Sequence, residues 1–184
     1  MPLRWFSIPN LFRYENPQRG RLREHWQLNA DIFGIDNFWA EVEIISLAHE
    51  IMISFGLKEN QFEIRINNRK VMNYISAEIL TLSASDSHKF SKLIDKKHKL
   101  SKDDFEEELK VIAGENFEKA LLILNSKNFE EFVSHLPKSE TEHEGLKEIM
   151  NVINALDGAG IKNVRFDQTL MRGFDYYTGT VFEV

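Results

Sequence analysis

Four arginines crowd around one turn near the start of the sequence, and they are the residues most suited to chemistry. Arg13, Arg19, Arg21 and Arg23 surround a Pro-Gln-Arg-Gly turn at positions 17–20. A guanidinium group stays protonated, and its planar fork matches phosphate oxygens two at a time. The cluster therefore favours a phosphate-binding loop. A solvated hairpin with exposed charges is the alternative that this segment alone leaves open.

A second polar cluster lies near the other end of the sequence. Positions 172–178 read Arg-Gly-Phe-Asp-Tyr-Tyr-Thr, and Gly179 follows. In an extended segment Tyr176 and Tyr177 would point to opposite faces, so at most one of them lines a given pocket. A binding segment and a purely structural, tyrosine-rich hairpin edge both remain open for this cluster.

Regular elements on either side of the first cluster must position it. Residues 3–14 alternate in part and residues 24–33 follow as a second strand, which predicts a strand-loop-strand unit. A helical period then begins, with Asp36 as the predicted N-cap and Gly56 as the stop. Strict alternation over Gln61–Asn67 predicts a strand. A turn at Asn67-Asn68 and a helix near 69–82 are expected after it.

The middle of the chain, residues 85–147, has helical periods and no convincing strand. Its lysines between Lys89 and Lys102 are expected to form a solvated helix face, with nucleic-acid contact as the alternative. Ser101 and Asp104 resemble a capping box that opens a helix. The helices expected from there on are Phe105–Ala113, Asn116–Leu124, Phe129–Leu136 and 141–156. The strands expected afterwards are Asn163–Phe166, Thr169–Met171 and Tyr176–Val184.

The order of these elements predicts an α+β fold with an antiparallel sheet and an all-helical insertion. The expected divisions are 1–84 and 148–184 for the two parts of the core and 85–147 for the insertion. The sequence has neither a P-loop pattern nor Gly-x-Gly-x-x-Gly. Any nucleotide is therefore expected to be held by side chains on a sheet rather than by a glycine-rich loop.

Composition narrows the class of protein. The net charge of −6 argues against a general nucleic-acid coat protein, although a local basic cleft remains compatible with it. The chain has no cysteine, and its six histidines lack metal-ligand spacing, so no structural metal is expected. No stretch approaches the roughly 20 apolar residues of a membrane span, and no apolar signal region opens the sequence. A cytoplasmic protein without membrane contact is expected.

The two clusters together resemble histidyl-tRNA synthetases, which are class II aminoacyl-tRNA synthetases. The segment from Phe12 to Asp31 resembles motif 2 of that class. The segment Arg172–Gly179 is similar to the histidine-specific motif, usually Arg-Gly-Leu-Asp-Tyr-Tyr-Thr-Gly. Ile66–Arg69, Ile-Asn-Asn-Arg, is also typical, and Leu93–Ser101 resembles the start of the insertion domain in bacterial members.

The resemblance implies roles in ATP binding for part of the first cluster. Arg13 would grip the α-phosphate, and Arg172 would approach the same phosphate from another side, which makes these two the expected catalytic residues. Glu15 would lie near the adenine amino group, and Arg21 would face the outer phosphates. His25 stands where the family usually has a phenylalanine that stacks on adenine. ATP, accompanied by Mg²⁺, is the expected nucleotide.

The resemblance also implies a histidine pocket and a contact with tRNA(His). Gln27 would hold the α-amino group of L-histidine. The residues expected around the rest of the amino acid are Asp31, Arg172, Tyr176 and Tyr177. The residues expected at the acceptor end of the tRNA are Gln18, Arg19 and Arg23. Neutral imidazole offers one donor and one acceptor, which an acid and a tyrosine hydroxyl can read together.

Several family features are not found in this sequence. Motif 1, which builds the family's homodimer, and motif 3, with its ATP-binding arginine, are not recognised. The chain is therefore expected to be a portion of a longer synthetase that forms no histidyl-adenylate alone, which histidine-dependent exchange of pyrophosphate into ATP would test. A synthetase-like regulatory subunit of histidine biosynthesis is the alternative. Such paralogues lose the ATP- and tRNA-directed residues, whereas the arginines are present here.

Overall fold

The computed structural model describes residues 1–14, 21–137, 143–171 and 178–184. Strands and helices are both present, and the predicted α+β class is confirmed. The strands are β1 Leu3–Ser7, β2 Asn10–Phe12, β3 Glu24–Trp26, β4 Asn29–Phe33, β5 Ile64–Asn68, β6 Val164–Phe166 and β7 Thr180–Glu183. The helices are α1 Trp39–Ser54, α2 Arg69–Tyr74, α3 Ala84–Asp95, α4 Lys102–Ala113, α5 Phe117–Leu124, α6 Phe129–Ser134 and α7 Glu144–Gly158.

The first four strands form one hairpin with a constant register. β1 pairs with β4 from Leu3 opposite Phe33, and β2 pairs with β3 up to Phe12 opposite Glu24. The backbone N–H of Arg13 continues the ladder by donating to the carbonyl of Arg23 at 2.8 Å. The predicted strand-loop-strand unit is therefore confirmed. Each predicted strand is split in two near Pro9, which has no N–H to donate to the ladder.

Helix α1 confirms one predicted boundary and corrects the other. The N-cap is Phe38, so the prediction of Asp36 at that position is wrong. Asn37 supplies the side-chain oxygen instead, since its Oδ1 accepts from the N–H of Trp39 at 3.0 Å. Gly56 follows the helix with a φ of +91°, a left-handed conformation that glycine adopts without steric cost. The predicted stop at this glycine is confirmed.

Strand β5 begins later and ends later than expected. Glu59–Gln61 form a 3₁₀ turn instead of strand, closed by Gln61 Oε1 accepting from the N–H of Lys58 at 2.8 Å. Asn67 and Asn68 do not form a turn, because they are the last, fully buried residues of the strand. Asn68 instead caps α2, where its side chain accepts from the N–H of Lys70 at 2.9 Å.

The second sheet is mixed. Its strand order is β6-β5-β7, with β5 parallel to β6 and antiparallel to β7. The parallel pair adds to the antiparallel pairing that the sequence predicts. The predicted strand at Thr169–Met171 is wrong, because Asp167 closes a turn there. Its carboxylate accepts from the N–H and the hydroxyl of Thr169 at 2.8 and 2.6 Å.

Helices α3, α4 and α6 of the middle region begin at side-chain caps, whereas α5 begins without a side-chain cap hydrogen bond. Ser101 accepts from the N–H of Asp104 at 3.1 Å, which confirms the predicted cap. Helix α4 begins directly after this cap, at Lys102, and not at Phe105 as expected. Lys97 is an exception to the expected solvated lysine face. Its ammonium donates to the carbonyl of Leu124 at 2.9 Å and lies 5.4 Å from the centre of the Phe105 ring. Burial lowers the pKa of Lys97.

One hydrophobic core joins the middle helices to the mixed sheet and α7. Fully buried members include Ile66 of β5, Leu109 of α4 and Ile149 of α7. Gln168 adds a polar connection, since its Nε2 donates to the carbonyls of Leu124 and Ser126 at 3.0 and 2.7 Å. The division at residues 84/85 and 147/148 stays a prediction. Within the described ranges, none of the helices is both long enough and apolar enough to cross a membrane.

Helix α7 approaches α2 so closely that one position requires glycine. A Cβ added at Gly145 would lie 2.8 Å from Cγ2 of Val71 and 3.1 Å from Oδ1 of Asn68. We expect Gly145→Ala to lower the free energy of unfolding by about 1–3 kcal/mol, because overpacking displaces these neighbours. Urea denaturation measures the change.

The same helix supplies the matched control. A Cβ at Gly158 meets nothing within 4 Å. We expect Gly158→Ala to be neutral or to stabilise by roughly 0.5–1 kcal/mol, since alanine loses less backbone entropy. Equal effects of the two substitutions would contradict the close approach of α7 to α2.

Candidate active site

One face of the hairpin carries the polar side chains of the first cluster. Side chains alternate between faces along each strand, and the register does not slip between β1–β4 and β2–β3. Arg13, His25, Gln27 and Asp31 therefore share a face. The opposite face carries Arg4, whose guanidinium donates to Glu43 Oε2 of α1 at 2.7 Å. That hydrogen bond lowers the pKa of the Glu43 carboxyl.

Arg13 and Gln27 are in direct contact on the polar face. An Nη atom of Arg13 donates to Oε1 of Gln27 at 2.8 Å. The register places the cross-strand pair of Leu11 and His25 between them, so the arginine side chain extends back along the face. The exposed Arg13 guanidinium thus faces solvent where a ligand could reach it.

Asn29 is a member of this face that sequence reasoning missed. Its Oδ1 accepts from Nε2 of Gln27 at 2.6 Å. Its own Nδ2 has a long contact of 3.5 Å with Oγ of Ser7, the residue opposite it in the ladder. The polar residues at 27, 29 and 31 are spaced by two along one strand, and this spacing could have identified Asn29 from the sequence.

The structure describes some of the remaining residues around the first cluster, and others lie outside the described ranges. The guanidinium carbon of Arg23 lies 5.8 Å from the centre of the Tyr14 ring, within the range of a cation–π contact. Arg21 is exposed, and His25 is partly buried opposite Leu11. Asp31 is exposed in β4 opposite Trp5. The predicted site residues Glu15, Gln18 and Arg19 lie outside the described residues.

The structure describes the residues on either side of the second cluster. The predicted site residues Arg172, Tyr176 and Tyr177 lie outside the described residues. The end of β5 holds both flanks. Asn67 Nδ2 donates to the carbonyl of Leu170 at 3.1 Å, and the N–H of Arg69 donates to the carbonyl of Gly179 at 2.9 Å. The typical Ile-Asn-Asn-Arg sequence therefore anchors Leu170 and Gly179, one on each side of residues 172–177, to the sheet.

An open cavity of about 550 Å³ lies between one of these flanks and the exit of the hairpin. Residues 35–38, which follow β4, line it together with residues 178–180. Lys70 also lines the cavity, and its ammonium forms ion pairs with the carboxylates of Glu148 and Glu144 at 2.6 and 2.9 Å. These hydrogen bonds, that with Glu148 foremost, raise the pKa of Lys70. The convergence of Arg13 and Arg172 stays a prediction.

Comparison with known proteins identifies the family. The sequence profile described as "Histidyl-tRNA synthetase" matches residues 1–184. Histidine–tRNA ligase of Leptospira biflexa is 38% identical over 185 residues, covering 100% of this chain and 42% of the relative. The Thermoplasma volcanium enzyme is 37% identical over 99% of this chain and 42% of its own length. The chain thus spans less than half the length of these relatives.

Solved structures agree at the level of the fold. A Bacillus halodurans protein described as an ATP phosphoribosyltransferase regulatory subunit/histidyl-tRNA synthetase superposes with a TM-score of 0.82 at 22% identity. The superposition covers 100% of this chain and 47% of the Bacillus halodurans chain. Histidyl-tRNA synthetase from Nostoc sp. PCC 7120 superposes with a TM-score of 0.80 at 23% identity, over 98% of this chain and 43% of its own. With the family profile matching from end to end, the chain belongs to the histidyl-tRNA synthetase family.

Proposed function

We propose that this chain carries part of the active site of a histidine–tRNA ligase. In the first step a carboxylate oxygen of L-histidine attacks the α-phosphorus of ATP, and the bond to the leaving pyrophosphate breaks. In the second step a terminal ribose hydroxyl of tRNA(His) attacks the histidyl carbonyl and AMP leaves. ATP enters with Mg²⁺ as its counterion. The two relatives described above, which are 37–38% identical over 99–100% of this chain, are named for this reaction.

The hydrogen bond between Arg13 and Gln27 is the observation that supports this proposal best. Arg13 is assigned to the α-phosphate and Gln27 to the α-amino group of histidine. These two substrate groups lie close together in an aminoacyl-adenylate, because only Cα, the carboxyl carbon and the bridging oxygen separate the amino nitrogen from the phosphorus. A distance of 2.8 Å between the two side chains fits that requirement.

The phosphoryl step needs charge stabilisation more than covalent help. Negative charge spreads over the equatorial oxygens of the α-phosphate as the carboxylate enters and the pyrophosphate leaves, and fixed cations stabilise it. We assign this role to Arg13 and Arg172, with Arg21 facing the outer phosphates. Glu15 and His25 are assigned to adenine.

Recognition of the amino acid and of the tRNA falls to other side chains of the two clusters. Asp31 and Tyr177 are assigned to the two imidazole nitrogens, with Tyr176 and Arg172 beside them. A site that pairs both nitrogens strongly disfavours apolar side chains of similar size, because its own polar groups would then be left unpaired. Gln18, Arg19 and Arg23 are assigned to the acceptor end of tRNA(His).

The first test concerns Arg13 and uses a stable adenylate, the ester of L-histidinol with AMP. We expect Arg13→Ala to weaken its binding roughly 10- to 100-fold, since a lost charge-assisted hydrogen bond costs about 1.5–3 kcal/mol. Titration calorimetry on the folded chain measures the dissociation constant. Arg172→Ala is expected to show a loss of the same order.

The matched control is Arg4→Ala, on the opposite face of the same hairpin. Arg4 is exposed and pairs with Glu43 rather than with the polar face. We expect less than a twofold change for this variant, because exposed ion pairs contribute little. Equal losses from Arg13→Ala and Arg4→Ala would show that general charge, not a phosphate site, attracts the adenylate.

The second test concerns selection of the imidazole. We expect Asp31→Asn to reduce the preference for the histidinol ester over the corresponding phenylalaninol ester by about 10-fold or more, since the amide is a weaker acceptor for the ring N–H. The ratio of the two dissociation constants is the readout. Glu24→Gln removes the same charge from the other face of the hairpin, and it should leave the ratio unchanged. An unchanged ratio in Asp31→Asn would remove Asp31 from the histidine pocket.

A further inference from the structure

We propose that Asn29 is a positioning residue that fixes the orientation of the Gln27 side-chain amide toward the substrate. The inference rests on the proposed function, because it takes Gln27 as the residue that holds the substrate α-amino group. Asn29 itself is not assigned to any substrate. Its effect on binding would act entirely through Gln27.

The geometry forms a chain of side-chain hydrogen bonds along one face. The guanidinium of Arg13 donates to Oε1 of Gln27 at 2.8 Å, and Nε2 of Gln27 donates to Oδ1 of Asn29 at 2.6 Å. Gln27 and Asn29 are both partly buried, whereas Arg13 is exposed. The Gln27 amide is therefore held at both ends, by a group that only donates and by a group that accepts.

The two ends of an amide are chemically different, so its orientation matters. If the Gln27 amide turned by 180°, its NH₂ group would face the guanidinium, and two donors would meet without an acceptor. Asn29 opposes that turn, because its oxygen would then face the oxygen of Gln27. With the observed orientation, Oε1 keeps a second lone pair for another donor beside Arg13. A substrate ammonium is such a donor.

The contact between Asn29 and Ser7 adds little to this arrangement. At 3.5 Å it is at the limit of a hydrogen bond, and a hydroxyl can either donate or accept. Arg13, which has no acceptor, thus determines that Oε1 of Gln27 faces it, and the oxygen of Asn29 holds the NH₂ group at the other end of the amide.

The first experiment observes the amide directly in the unliganded chain. Nuclear magnetic resonance of the Gln27 NH₂ group should show slow hydrogen exchange and a nuclear Overhauser contact to Asn29. Asn29→Leu should abolish both signatures, and Asn29→Asp, which keeps an acceptor oxygen, should preserve them. Asn10→Leu is the matched control, since Asn10 is equally partly buried in the same hairpin but on the other face.

The second experiment separates positioning from a general structural effect. In the wild-type background, Asn29→Leu should weaken binding of the histidinol–AMP ester about two- to tenfold, the range for one neutral hydrogen bond. In a Gln27→Glu background it should have no further effect. A carboxylate presents an oxygen in either orientation, so no partner is needed to orient it. A merely structural role would produce the same loss in both backgrounds.

The outcomes are distinguishable from failure of the proposed function. If the wild-type chain does not bind the ester but the Gln27 amide still depends on Asn29, the positioning role stands and the proposed function fails. If the Gln27 signals are unchanged in Asn29→Leu, or if the loss in affinity is equal in both backgrounds, the positioning role is refuted. Asn29→Val, which suits a strand and also removes the acceptor, replaces the leucine variant should that one not fold.

Discussion

The constant register of the hairpin is the constraint on which the site depends. Because the pairing does not slip between Leu3–Phe33 and Arg13–Arg23, residues separated by an even number along either strand stay on one face. A slip by one residue would move Gln27 and Asp31 away from Arg13. Pro9 interrupts the ladder without inserting a residue. Its carbonyl still accepts from the N–H of Gln27 at 3.2 Å, so the two halves behave as one unit.

A buried amide network has the corresponding role for the second cluster. Asn67 and Asn68 are fully buried at the end of β5, where an unpaired amide would be costly. Asn67 contacts the carbonyls of Gln168 and Leu170, and Asn68 contacts Glu148 and Thr180. The satisfied network fixes where the chain leaves and rejoins the sheet. It therefore fixes Leu170 and Thr180, which lie on the two sides of the second cluster.

Positive charge is concentrated locally in this net acidic protein. The net charge is −6, yet the four arginines of the first cluster lie within eleven residues. Within residues 1–14 and 21–33, the Arg13 guanidinium is hydrogen-bonded to a neutral amide, Gln27. A neutral partner orients a guanidinium without cancelling its charge. Lys70 differs in this respect, because two glutamates neutralise it.

The sequence by itself determined the elements whose signals are local. The alternation on both sides of the arginine loop, the stop at Gly56 and the cap at Ser101 depend on neighbouring residues, and the structure contains them. The family and the α+β class followed from motif order in the same way. Predicted boundaries were wrong where a different local hydrogen bond forms. Asn37 and not Asp36 accepts from the first turn of α1, and the carboxylate of Asp167 closes a turn where a strand was expected.

Only the tertiary structure decided how distant segments meet. The parallel pairing of β5 with β6 joins strands about a hundred residues apart, and no local pattern encodes it. The burial of Asn67 and Asn68 also depends on α7 and β7 packing over them, so a sequence that is typical of a turn became the end of a strand. The spacing of two from Gln27 and Asp31 places Asn29 on their face already in the sequence, but its hydrogen bond to Gln27 is a side-chain contact that only the tertiary structure shows.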